Sequence, residues 1–178
     1  MQATQFWDDL FSKGQQGEYS RVEMPDLEDP VLQKALAYFG DVKGKTIIDL
    51  GCGRGATSLY FAHKGANVIS IDSSEVAVRN LTEYCQSNAI GNINPLTLRA
   101  QELASIGSVD FVFGSMILHH IEPFNEFART LRDVIKLGGK GFFMKTMHEA
   151  RCLYGLGKIL LGGYGYPNTG IRMSFHSP

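Results

Sequence analysis

Three alternate glycines, Gly51, Gly53 and Gly55, follow directly on the apolar run 47–50. Two acids flank them: Asp49 just before the turn, and Asp72 at the end of the next apolar run, 68–71. Glycines in that place let the main chain approach a ligand closely and take positive φ at little steric cost. Asp72 stands 21 positions after Gly51, and an acid ~20 residues on suits hydrogen bonds to the hydroxyls of a ribose. The pattern points to a ligand that contains a nucleoside. Capping a helix is the competing use of Asp72, although Ser73 or Ser74 would serve there equally well.

The glycine spacing narrows the class. A dinucleotide fingerprint needs Gly-x-Gly-x-x-Gly or Ala. Here Ala56 stands three after Gly53, so spacing alone leaves a nicotinamide dinucleotide open. Asp49 argues against it, because a carboxylate at the strand end repels a pyrophosphate yet helps to hold an ammonium group. A ligand with a ribose at one end and a cationic amino acid at the other fits both acids, and S-adenosylmethionine is such a ligand. Asp49 has a second reading, as a structural hydrogen-bond partner of the turn.

The elements that must position these groups are legible in outline. Residues 4–12 are an aromatic helix candidate, with Phe6, Trp7, Leu10 and Phe11. Asp29 and Pro30 start a second helix, and Gly40 ends it. Strands are expected at 45–50, 67–72, 96–99, 109–114 and 140–146. Helices are expected at 54–64, 74–88 and from Pro123, where Phe127, Leu131 and Val134 follow a helical period. Strands alternating with helices predict an α/β fold, a Rossmann-like, doubly wound, mostly parallel sheet of five core strands with flanking helices. Right-handed crossovers then bring the two Gly/Asp turns side by side at one sheet edge.

Composition agrees with one such domain. At 178 residues the chain is long enough to bury a real core. Lys plus Arg total 17 against 18 for Asp plus Glu, so no global field or basic stripe draws it to nucleic acid. Three separated cysteines, Cys52, Cys85 and Cys152, read as reduced thiols of a cytoplasmic protein. No stretch approaches the ~18 apolar residues of a membrane span.

Residues 49–55, Asp-Leu-Gly-Cys-Gly-Arg-Gly, resemble motif I of the class I S-adenosylmethionine-dependent methyltransferases. Residues 70–74 resemble that family's second-strand acid motif. Residues 109–113, followed by Leu118-His119-His120-Ile121, resemble its fourth strand and the loop after it, and 131–139 its turn into strand five. These landmarks run in family order over about residues 40–146.

The resemblance implies S-adenosylmethionine as cofactor, with Asp49, Gly51, Cys52, Gly53, Asp72, Ser73 and Ser115 at its site, Cys52 through its backbone. After strand three the family's Asp-Ala pair corresponds to Arg99-Ala100, so the expected carboxylate is missing; the Ala100 N–H and the Gln101 or Glu102 side chain are left to read the adenine edge. Similarity to quinone- and sugar-type O-methyltransferases implies a basic residue in the N-terminal segment that binds the methionine carboxylate, and Arg21 suits it; a solvated loop arginine is its competing reading. His119 and His120 sit where the family places the methyl-accepting atom, and either suits a general base; structural packing is their competing role. No metal is implied.

By this resemblance the chain divides into a lid at 1–28, a cofactor-binding core at 29–147 and a glycine- and tyrosine-rich acceptor-side segment at 148–178. The last segment supplies no recognisable C-terminal strand hairpin, so the end reads as truncated. Strand five is then expected as an exposed edge, covered by a partner or a second copy. Leu153, Leu156 and residues 159–161 are open to an interfacial membrane role. The expected function is methyl transfer to a small-molecule acceptor, most simply a hydroxyl oxygen. The competing readings are a noncatalytic cofactor-binding protein acting with a partner, a nicotinamide-dependent reductase, and an RNA or protein methyltransferase.

Overall fold

A computed structural model describes residues 2–12, 21–146, 159–161 and 168–174. Residues 13–20 of the expected lid, and 148–158, 162–167 and 175–178 of the expected acceptor-side segment, with Cys152, Leu153 and Leu156, lie outside the described residues.

The chain order is helix α1 (Gln2–Ser12), α2 (Pro30–Phe39), strand β1 (Thr46–Leu50), α3 (Ala56–His63), β2 (Asn67–Asp72), α4 (Glu75–Ser87), β3 (Ile93–Thr97), β4 (Val109–Ser115), α5 (Phe124–Val134), β5 (Ile135–Thr146), β6 (Ile159–Leu161) and β7 (Asn168–Ser174). Strands pair in the order β3-β2-β1-β4-β5-β7-β6. The first five are parallel, and β7 and β6 add antiparallel. The order reverses between β1 and β4, and ligands of such sheets bind where it does.

Side chains alternate across the sheet with the period of two that strands impose. Ile47, Phe111, Phe113 and Phe142 face one layer, packed with Phe39 of α2 and Phe61 of α3. Ile48, Leu50, Val112 and Phe143 face the other, packed with Phe127, Leu131 and Val134 of α5. Both faces of β1 are covered, which is why Ile47, Ile48 and Leu50 stand there, with Asp49 buried among them.

Local signals set the helix ends. The Asp29 carboxylate accepts the Val31 and Leu32 N–H groups at 2.7 and 2.9 Å, and Pro30 occupies the first helical position of α2. Ser74 caps α4 by accepting the Ala77 N–H at 3.2 Å.

Four expectations are corrected. Strand β3 runs Ile93–Thr97, not 96–99: it pairs with β2 alone at the sheet edge, where Pro95 fits inside a strand because it need not donate to a ladder. Helix α3 starts at Ala56, because Gly55 before it is left-handed at φ 83°. Strand β5 starts at Ile135, where Val109 pairs with it ahead of a register shift; Gly139 makes that irregular passage, since a Cβ there would lie 2.6 Å from the Asp110 carbonyl oxygen.

The fourth correction concerns the sheet edge. Strand β5 is covered by β7 from Lys140↔Ser174 to Thr146↔Asn168, and β7 by β6. Among the described residues the sheet therefore has seven strands, and an exposed β5 is no longer a reason to expect a partner. Residues 168–174, Asn-Thr-Gly-Ile-Arg-Met-Ser, carry little intrinsic strand signal; pairing with β5 overrides local preference.

Candidate functional site

The turn after β1 is built from left-handed glycines: φ is 76° at Gly51, 48° at Gly53 and 83° at Gly55. The Gly51 and Cys52 N–H groups both donate to the Ile71 carbonyl, at 2.8 and 2.9 Å, tying the turn to the end of β2. Asp72 ties it again. Its Oδ2 accepts the Gly53 N–H at 2.9 Å and its Oδ1 the Ser74 N–H at 2.9 Å. Burial pushes the Asp72 carboxyl up, against main-chain hydrogen bonds from Ser74, Gly53 and Ser73, and nearby Asp8 pushes it further.

Above this turn lies a cleft of about 330 Å3 at the carboxyl ends of β1, β2 and β4. Eight of the expected residues line it: Gly51, Gly53, Asp72, Ser73, Ala100, Gln101, Ser115 and His120. Gln101 is held across one side by donating to the Glu122 carbonyl at 2.9 Å. Arg99, where a family carboxylate was expected, also lines the cleft and is paired with Glu102 at 3.3 Å.

Four expected residues do not line it. Asp49 lies beneath the turn, 2 % exposed, where it accepts the Ser58 hydroxyl at 2.6 Å. Ser58 in turn sits 2.6 Å from the Ser70 hydroxyl, so one buried carboxyl is held in a two-hydroxyl network. Burial pushes Asp49 up to about 7; the Ser58 bond opposes this and Asp72 adds to it. Cys52 points into the core, and burial pushes its thiol well above the ordinary value. Arg21 lies on the outer side of the turn with Phe11 and Gly53, and its carbonyl accepts from Arg54 Nε at 3.1 Å. His119 is exposed, its ring 3.8 Å centre to centre from that of His120.

Several lining residues escaped the sequence reading. Thr4, Trp7 and Phe11 of α1 form one wall; their aromatic, helical spacing was visible, but its destination was not. Met116 lines the cleft at φ 55°, a conformation uncommon outside glycine and typical of functional sites. Nothing in its residue type announces that. The Ser58–Ser70 pair left only the trace of a polar residue inside the apolar run 68–71.

A parallel sheet with a glycine turn at its switch point, and an acid at the carboxyl end of the next strand, has the architecture of nucleoside-cofactor folds. The methyltransferase domain family model matches residues 47–139, and the chain belongs to that family, in the class I S-adenosylmethionine-dependent type. It is 28% identical over 130 residues to a ubiquinone biosynthesis O-methyltransferase of Rickettsia canadensis, covering 73% of this chain and 54% of that protein. To its counterpart in Acinetobacter baylyi it is 27% identical over 106 residues, 58% of this chain and 44% of the other. The chain spans about half the length of the curated relatives it matches.

Solved structures share the fold. A SAM dependent methyltransferase from Aquifex aeolicus has a TM-score of 0.64 at 20% identity, covering 84% of this chain and 95% of that one. The 16S rRNA N2 G1207 methyltransferase of T. thermophilus, solved with AdoMet and guanosine, has a TM-score of 0.67 at 20% identity, covering 83% and 43%.

Proposed function

We propose that this chain is an S-adenosylmethionine-dependent methyltransferase that methylates a hydroxyl oxygen of a small-molecule acceptor. One observation carries the reading: Asp72, pinned to the glycine turn, lines a cleft of about 330 Å3 at the switch point of the sheet. The residues fit the cofactor chemically. Gly51 and Gly53 leave the turn without side chains where the ligand must lie close, and the Asp72 carboxylate keeps acceptor capacity for a ribose hydroxyl beyond its bonds from Gly53, Ser73 and Ser74. Ala100 and Gln101 offer polar contacts for the base. S-adenosylmethionine, when bound, supplies an activated methyl group for in-line displacement.

The chain's own residues then have three tasks. Asp72 orients the nucleoside. Trp7, Phe11 and Ile117 exclude water from the reacting centre. We assign the acceptor proton to His120, the histidine that lines the cleft. The ubiquinone biosynthesis O-methyltransferase relatives support oxygen as the methylated atom. A net charge of -1 argues against nucleic acid as acceptor. Among the described residues no helix is long and apolar enough to cross a membrane, and two buried free thiols, Cys52 and Cys85, fit a cytoplasmic location.

Calorimetric titration with S-adenosylhomocysteine, with NAD as control, tests the cofactor. Micromolar binding of the first alone supports it, and preference for NAD sinks it. Turnover on catechol-type and other hydroxylated acceptors separates an enzyme from a binding protein that acts with a partner.

A further inference from the structure

Helix α1 turns Thr4, Trp7 and Phe11 toward the cleft, at spacings of three and four residues that put them on one helix face. Phe11 is buried against the glycine turn; a Cβ on Gly53 would lie 3.6 Å from its Cζ. Trp7 meets the His120 ring edge-on at 5.5 Å. Whatever occupies the cleft therefore touches α1 and core together.

Beside that face, Asp8 reaches α4. Its Oδ1 accepts the Ser74 hydroxyl and the Val76 N–H, the latter at 3.5 Å. Ser74 is at once the cap of α4 and the N–H donor to Asp72 Oδ1. Asp8 and Asp72 thus converge on one helix start. The helix dipole and its N–H groups favour both carboxylates, while their like charges oppose each other. Hydroxyl donors placed on Asp72 would ease that opposition.

We propose that Asp8 is a latch. By docking α1 on α4 it makes closure over the cleft and seating of Trp7 against His120 a single event, and its release governs how fast a nucleoside product leaves. This rests on the cleft being the cofactor site. Asp8 is a positioning residue, acting through Ser74 and α1 rather than on the ligand. Linkage requires the effect to be reciprocal: a ligand that prefers the docked helix tightens docking by the factor by which docking tightens the ligand.

Trp7 is the single tryptophan of the chain, so its fluorescence reports docking without any label. The experiment compares the whole chain with Asp8→Ala and Asp8→Asn. It records acrylamide quenching of Trp7 without ligand, then S-adenosylhomocysteine dissociation by stopped flow. The latch predicts severalfold stronger quenching in the ligand-free Ala variant, and release faster by roughly tenfold, the scale of one lost charge-assisted hydrogen bond. The Asn variant, which keeps an acceptor oxygen for Ser74 but no charge, should fall between. Wild-type quenching in a folded Ala variant overturns the latch. Should the Ala variant fail to fold, wild-type quenching and release in the Asn variant overturn it instead. If the wild type binds no S-adenosylhomocysteine, the cofactor reading fails, and ligand-free quenching still decides whether Asp8 holds α1.

Discussion

Asp72 Oδ2 accepts the N–H of Gly53 at 2.9 Å across 19 residues of chain. The last residue of β2 is thereby bound to the turn that follows β1. Its other oxygen is fixed by Ser74. The acid we propose for the ribose is also the brace that holds the glycine turn in shape, so a ligand seated there would meet a carboxylate whose direction is already set.

Replacing Asp72 by Asn should therefore do two things. The amide offers one acceptor oxygen where two were used, and turns an NH2 toward an N–H donor. We expect a stability loss of about 1–3 kcal/mol in urea unfolding, and S-adenosylhomocysteine affinity lower by roughly tenfold to a hundredfold. Loss of stability with unchanged affinity would make Asp72 a brace alone.

Gly51 and Gly44 separate backbone strain from crowding. Both have positive φ, 76° and 70°. A Cβ on Gly51 would lie 2.9 Å from Ile117 Cδ1, whereas one on Gly44 has nothing within 4 Å. Gly44→Ala should cost about 1 kcal/mol, from strain. Gly51→Ala should cost more, and should also weaken cofactor binding because Ile117 lines the cleft. Thermal melts and titration of the two variants check this; equal losses and equal binding would remove the steric part.

The fold was legible wherever periodicity and punctuation agreed. Apolar runs marked β1, β2 and β4, and Asp29, Pro30 and Gly40 bounded α2. Strand β3 was misread because Pro95 looks like a boundary unless one knows the strand lies at an edge. The β6–β7 hairpin was missed because its signal resides in β5, not in its own residues. At the cleft, Gly51, Gly53 and Asp72 announce themselves because their chemistry is narrow, whereas nothing in the spacing of Asp49 says that it lies beneath the turn on Ser58. The α1 wall, Met116 and the Ser58–Ser70 network arise from tertiary placement of ordinary residue types, which one-dimensional spacing does not carry.

The two histidines should behave differently. His120 lines the cleft against Trp7, while His119 does not line it. If His120 takes the acceptor proton, His120→Gln should lower kcat by about a hundredfold and remove the acidic limb of the pH–rate profile. His119→Gln should change kcat by only a few fold. Equal effects would point to ring packing between the pair, 3.8 Å apart, rather than to proton transfer.

Asp49 makes stability depend on pH in an unusual direction. Its ordinary value is 3.8, and burial raises it to about 7 in the folded chain. Between these values the native state keeps a proton that the unfolded chain has lost. Stability from this group is therefore full below the unfolded value and falls as pH rises toward the folded one. Asp49→Asn keeps a carbonyl to accept the Ser58 hydroxyl and has no proton to lose. Its urea midpoint should gain on the wild type as pH rises from 3.8 to about 7. A cation bound above the turn favours the ionised carboxylate and draws its pKa back down. Uptake of S-adenosylmethionine near pH 7 should then release a proton, seen as a calorimetric enthalpy that varies with the ionisation heat of the buffer. The Asn variant should lose that dependence. A buffer-independent enthalpy in the wild type would mean that the Ser58 network insulates Asp49 from the ligand and that its role is to hold the turn.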